Sequence, residues 1–245
     1  MPSVAIVGGH GQVALRLTRI LAPTHDITSI IRKPEHIPAL QSISPGISPL
    51  LLSIEDSPVA DFTQAFRGKD VVVFAAGAGG KGGPERTTQV DYEGAVKVMD
   101  AIEGVEEGQR PRLVLLSSID VRDPEKMPEH YNEEDRQLSH AMRAAIGHYF
   151  QCKYEADKNL AQRTAFKWTI VRPNGLLDTP GTGRVSIGRT HTKPSIPRDD
   201  VAAVLAQLVD REDAAGLAMD VIGGSTPISE ALDAFVQKGE TDFLG

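Results

Sequence analysis

Residues 4–21, VAIVGGHGQVALRLTRIL, pass from a short apolar run through a glycine turn directly into an amphipathic stretch. Val4, Ala5, Ile6 and Val7 suit a central parallel strand buried on both faces. Val13, Leu17, Ile20 and Leu21 then recur at helical spacing, which predicts a helix lying on that strand. Between them Gly8, Gly9 and Gly11 strip the turn of side chains, so backbone N–H groups and the positive end of the helix can approach a pyrophosphate closely. The spacing Gly8-x-x-Gly11-x-x-Ala14 is a variant of the dinucleotide fingerprint, with a small alanine where the helix must pack tightly on the strand. Glycine patterns are common in tight turns, and it is the strand before and the helix after that point to a nucleotide.

The rest of the chain alternates between strand and helix, as a parallel sheet covered on both faces requires. Strands are expected at 27–31, 50–53, 70–77, 112–117, 167–171 and 217–222. Helices are expected after Pro34 and at 59–66, 85–102, 138–163 and 200–209. The predicted fold is α/β: one doubly wound, Rossmann-type domain over residues 1–245, in which 176–245 form a small substrate-side portion. Two polar stretches rich in Pro or Gly, 119–137 and 176–197, follow strand ends and are the expected substrate walls.

Composition narrows the function classes. The net charge of −7, without a basic block, speaks against a nucleic-acid partner. No run approaches the ~18 apolar residues of a membrane span, and the start of the chain lacks a basic-then-apolar leader. With Cys152 as the sole cysteine, a cytoplasmic protein is expected, a monomer or homodimer acting on a small molecule. The seven histidines lack metal-ligand spacing, so no metal is expected.

The second strand ends Ile30-Ile31-Arg32-Lys33, with no carboxylate until Glu35. Adjacent cations there suit a ribose 2′-phosphate, which favours NADP over NAD, with Arg32 and Lys33 as ligands. Tyr149 and Lys153 lie four residues apart, on one face of the predicted 138–163 helix. A lysine cation lowers the cost of forming a phenolate, so the pair suits proton transfer alongside hydride transfer. Ser117 and Ser118 end the fifth strand, where one hydroxyl could hold the reacting oxygen. His148 reads as a helix-face residue, Phe166 and Trp168 as packing, and Glu133-Glu134-Asp135 as a solvated helix start.

Together, Gly8-x-x-Gly11, Ala75-Ala76-Gly77, Ser117-Ser118, Tyr149-x-x-x-Lys153 and Thr169-Ile-Val-Arg-Pro-Asn174 resemble the short-chain dehydrogenase/reductase superfamily. The closest resemblance is to its atypical, NmrA-like branch of small epimerase/dehydratase-like proteins. Further matching segments are residues 90–95, 178–185, 195–201 and 223–228. The resemblance implies that Gly8, His10, Gly11, Gln12 and Val13 surround the pyrophosphate, and that Ala75, Ala76 and Gly77 line the adenosine side. It also implies Tyr149 as acid/base, Lys153 on the ribose, Ser118 beside the substrate, and Pro173 and Asn174 bordering the nicotinamide. Asp91 departs from the pattern, because many catalytic members carry an asparagine there that helps a proton relay. The gap from Ser118 to Tyr149, 31 residues, is nearer to epimerase-like relatives. Two functions follow as expectations: an NADP(H)-dependent oxidoreductase or epimerase, and, as the alternative, a non-catalytic NADP(H)-binding sensor or scaffold.

Overall fold

The computed structural model describes residues 1–241. In chain order the strands are β1 (Ser3–Val7), β2 (Asp26–Ile31), β3 (Ser48–Leu51), β4 (Val71–Phe74), β5 (Arg112–Leu116), β6 (Trp168–Pro173), β7 (Leu176–Leu177), β8 (Arg184–Gly188), β9 (Ile196–Pro197), β10 (Leu217–Gly223) and β11 (Thr226–Pro227). The helices are α1 (Gln12–Leu21), α2 (Ile37–Gln41), α3 (Val59–Phe66), α4 (Gly83–Thr87), α5 (Gly94–Glu103), α6 (Glu133–Ala161), α7 (Arg198–Val209) and α8 (Ile228–Lys238).

The main sheet has the order β3-β2-β1-β4-β5-β6-β10-β8-β11. From β3 to β10 all neighbours run parallel, while β8 is antiparallel to both β10 and β11. The chain winds from β1 towards β3 and then returns to β4 on the other side of β1. The reversal opens a crevice at the carboxyl ends of β1 and β4, where ligands of open α/β sheets bind.

Side-chain alternation along the strands fills both faces. Val4 and Ile6 of β1 join a core with Leu17 and Leu21 of α1 and Leu205 of α7, whereas Ala5 and Val7 join Phe62, Phe66, Met99 and Leu160 on the opposite face. Fully burying one such large apolar side chain contributes roughly 1.5–3 kcal/mol, so this two-sided core holds the crevice rigid. Among the described residues, no helix is long and apolar enough to cross a membrane.

The long polar stretches differ from expectation. Residues 176–197 are not one loop: β7 and β9 pair as a small parallel sheet, and β8 joins the main sheet. These strands are too short for a period-2 pattern to show. Helix α8 goes unannounced in the sequence reading, yet its Ile228, Leu232 and Phe235 are buried. Helix α6 starts five residues before its expected position, on a capping box between Asn132 and Asp135. Ile20, expected on the buried face of α1, is 45% exposed. The buried stripe instead runs through Val13, Ala14, Leu17, Thr18 and Leu21.

Candidate active site

The glycine turn is shaped by what surrounds it. Gly8 has φ +81°, and a Cβ there would lie 2.7 Å from the Ala76 Cα. At Gly9 a Cβ would sit 1.8 Å from the Ser29 hydroxyl oxygen of β2. The turn is stitched by Gly9 N–H to Ile30 O (2.9 Å) and Gly11 N–H to Gly8 O (2.8 Å). No side chain caps α1 and no acidic residue occupies its first turn, which leaves N–H groups and positive potential for an anion.

Two cavities meet over this turn. One, about 420 Å³, lies above β2 and β4 and is bordered by Gly8, His10, Arg32, His36, Glu55 and Arg86. The other, about 630 Å³, lies above β4, β5 and β6 and is bordered by Val13, Asp91, Ser117, Tyr149, Lys153 and Pro173. Gly11, Gln12, Ala75, Ala76 and Gly77 border both, so the two form one trough across the carboxyl edge.

In the first cavity Arg32 donates to Glu55 (3.1 Å), which also accepts from Arg86 (2.6 Å). The rings of His10 and His36 stack with centroids 3.8 Å apart. Burial, followed by the charges of His10 and Arg32, holds His36 below the ordinary imidazole value. Lys33 is exposed and does not border the cavity, because successive residues of an extended chain point to opposite sides.

In the second cavity Tyr149 and Lys153 converge beside Ser117 at the end of β5. Ser118 lies near the Tyr149 phenol. Lys153 Nζ donates to Leu116 O at 3.0 Å and lies 4.0 Å from Asp91 Oδ1. Removal from water pushes the phenol above its ordinary value; Lys153 pulls it down, Asp91 pushes it up, and Ser118 pulls it down. Helix α6 kinks at Ile146 (φ −135°, ψ 36°), just before Tyr149. The kink turns Ile146, 49% exposed, into the cavity wall. His148 hydrogen-bonds Thr88 (2.9 Å) and Pro84 O (3.1 Å), which ties α6 to α4.

Some expected residues are turned elsewhere. Asn174 is buried and donates to Thr192 O and Pro194 O, so it holds the 192–194 segment. Ser117 is largely buried at the floor of the second cavity, near Asp157, while Ser118 does not border that cavity and lies near Tyr149. Within the acidic triplet Glu133 and Glu134 are solvated, but Asp135 is 2% exposed. It is buried because it accepts the Thr192 N–H (2.8 Å), the Thr192 hydroxyl (2.7 Å) and His191 Nδ1 (2.6 Å).

The sequence reading missed Glu55, Arg86, His36 and Arg198, which all border the trough. Glu55 had a usable signal, since it follows β3, and β3 ends beside β2. Arg86 had none, and Arg198 lay within the matching segment 195–201 without being singled out, as both reach the trough from helices distant in sequence.

Comparison with known proteins agrees with this geometry. Residues 8–212 match the family model described as NAD(P)H-binding. The UPF0659 protein C216.03 of Schizosaccharomyces pombe is 37% identical, covering 99% of this chain and 98% of its own. The uncharacterized sugar epimerase YhfK of Bacillus subtilis is 33% identical over 94% of this chain and 98% of its own. A solved Bacillus halodurans structure, described as an NAD-dependent epimerase/dehydratase, superposes with a TM-score of 0.78 at 30% identity, covering 96% of this chain and 100% of that one. A glycine turn at a switch point, a trough across the sheet and a matching model over most of the length lead to one conclusion: the chain belongs to the NAD(P)H-binding family, as an atypical, NmrA-like short-chain dehydrogenase/reductase.

Proposed function

We propose that this protein is an NADP(H)-dependent oxidoreductase or epimerase acting on a carbonyl or hydroxyl carbon of a small molecule. The observation that carries the reading is the meeting of Tyr149 and Lys153 on one wall of the trough, beyond the glycine turn and beside the serine that follows strand β5. When bound, the nicotinamide supplies or accepts hydride at its C4. Gly8, His10, Gly11, Gln12 and Val13 surround the pyrophosphate at the α1 N-terminus. Arg32 clamps the 2′-phosphate with Arg86 nearby, and Lys33 adds charge from outside the cavity. Ala75, Ala76 and Gly77 pass beneath the nucleotide, and Pro173 borders the nicotinamide end. Tyr149 moves the proton to or from the substrate oxygen, Ser118 orients that oxygen, and Lys153 holds the ribose and the phenol's charge. The names of the Bacillus relatives favour this class of chemistry.

The test pairs turnover with affinity. Tyr149→Phe should lower carbonyl or alcohol turnover by roughly 10²–10⁴-fold while leaving NADPH affinity nearly intact. Turnover that survives the change would remove the tyrosine from the reaction. Arg32→Ala should cost NADPH binding about tenfold or more and spare NADH. Calorimetry that finds the two nucleotides equally affected would assign the cavity to NAD. Net consumption of NADPH separates reduction from epimerisation.

A further inference from the structure

A carboxylate buried beside an ammonium decides how much of that ammonium's charge its neighbours receive. Asp91 and Lys153 are each 2% exposed, and Asp91 Oδ1 lies 4.0 Å from Lys153 Nζ. The carboxylate cannot swing away, because Oδ2 accepts the Ala78 N–H at 2.9 Å. Lys153 is equally fixed by Leu116 O. Asp91 sits within the widened π-helical turn Thr88–Glu93, between α4 and α5, and such a turn is frequently found at functional sites. The space it enters is left by Gly77, where a Cβ would come within 3.1 Å of Oδ1.

We infer that Asp91 is a positioning residue that neutralises Lys153, keeps Tyr149 a phenol through the neutral range, and so makes the site a proton donor that serves carbonyl reduction. The inference rests on the assignment of Tyr149 proposed above. In that direction hydride, with its electron pair, passes from the reduced nicotinamide to the carbonyl carbon, and the C=O π pair moves onto oxygen. The Tyr149 O–H bond breaks as the substrate O–H forms, and solvent reprotonates the phenolate. The carbonyl gains two electrons and the nicotinamide loses two.

The charged and titratable groups around the phenol agree with this polarity. On α6 itself are Lys153, Asp157 and the neighbouring His148, and from the π turn comes Asp91. The carboxyl of Asp157 is held by Arg172 of β6 at 2.9 Å, while Arg198 of α7 borders the same cavity and pairs with Asp178 at 2.9 Å. Each of these cations therefore already faces a carboxylate.

The experiment follows phenolate absorbance in the full chain without nucleotide, subtracting matched Tyr149→Phe proteins to remove Tyr92, Tyr131 and Tyr154. Asp91→Asn retains an oxygen for the Ala78 N–H and should lower the Tyr149 midpoint by about one pH unit, a tenfold change in acid dissociation. Asp91→Ser, which drops the charge without adding an amide, should move it the same way. The double variant Asp91→Asn/Lys153→Met should return it towards wild type. With NADPH present, the alkaline limb of carbonyl reduction should shift down with the midpoint. A midpoint that stays or rises in both single variants overturns the inference whatever the turnover. A shifted midpoint in a protein that reduces no carbonyl overturns the reductase assignment made here and leaves the epimerase branch of the proposed function standing.

Discussion

The two halves of the trough are built on opposite plans. On the side of the glycine turn the surface is bare backbone: Gly8 and Gly9 lie so close to Ala76 and Ser29 that added atoms have no room, and a Cβ at Gly11 would come within 3.1 Å of Gly8 O. On the side of β7, β8 and β9 the chain is irregular and is held by buried carboxylates. Asp200 in the first turn of α7 accepts Thr182 N–H, Gly183 N–H and the Thr182 hydroxyl at 2.8–3.0 Å. Asp135 in the first turn of α6 does the same for Thr192 and His191. Both carboxylates also sit at the positive end of a helix, which favours their charge. The glycine-turn half should therefore break when an atom is added, and the other half when one is removed.

The largest effect expected from that contrast is at Asp200. Asp200→Ala removes the buried carboxylate that accepts every one of these bonds from the exposed Thr182 and Gly183, and should cost up to about 3 kcal/mol. Hydrogen exchange should rise at 181–184 while the glycine turn stays protected. Uniform exchange across both halves would show that the two are not separate constructions. Gly8→Ala forces a side chain into left-handed backbone facing Ala76, at about 2 kcal/mol or more. Denaturant unfolding should register that loss, with nucleotide affinity falling alongside it. An alanine tolerated there would mean that the turn is looser than its contacts imply.

The smallest effect is pH-dependent. Burial pushes the Asp135 carboxyl up, but the Thr192 N–H and hydroxyl, His191 and the Asn132 N–H outweigh it and hold the group down to about 2. Because the folded value is depressed, the stabilisation is fully present above the unfolded carboxylate value of about 4 and is lost as pH falls towards about 2. The loss should reach at most about 2 kcal/mol. Comparing unfolding at about pH 5 and about pH 2.5, Asp135→Asn should flatten this component of the acid dependence. An unchanged acid dependence would assign the sensitivity to other carboxylates.

Legibility in the sequence follows the same division. The turn at Gly8 and the strands β1, β4, β5 and β6 could be read because hydrophobic period and glycine placement act within a few residues. Tyr149 and Lys153 could be paired because one helical turn separates them. Asp91 was noticed as a departure, but its ion pair with Lys153 spans 62 positions and depends on a π turn that no periodicity announces. Asp135 looked like one more solvated acid because its partners lie nearly sixty residues away. Lys33 and Arg32 are indistinguishable as letters, and only the facing of the chain after β2 puts one in the cavity and the other outside it.

By itself, then, the amino-acid order determined a doubly wound α/β chain with a glycine turn at the head of its first helix and a tyrosine–lysine face, since each depends on local backbone preference and short-range spacing. Which serine borders the second cavity, which cation borders the first and which carboxylate lies beside Lys153 were decided only when distant segments packed. Charge and hydrogen bonding act through space at a few ångströms, and it is the closed sheet with its crossing helices that sets those distances.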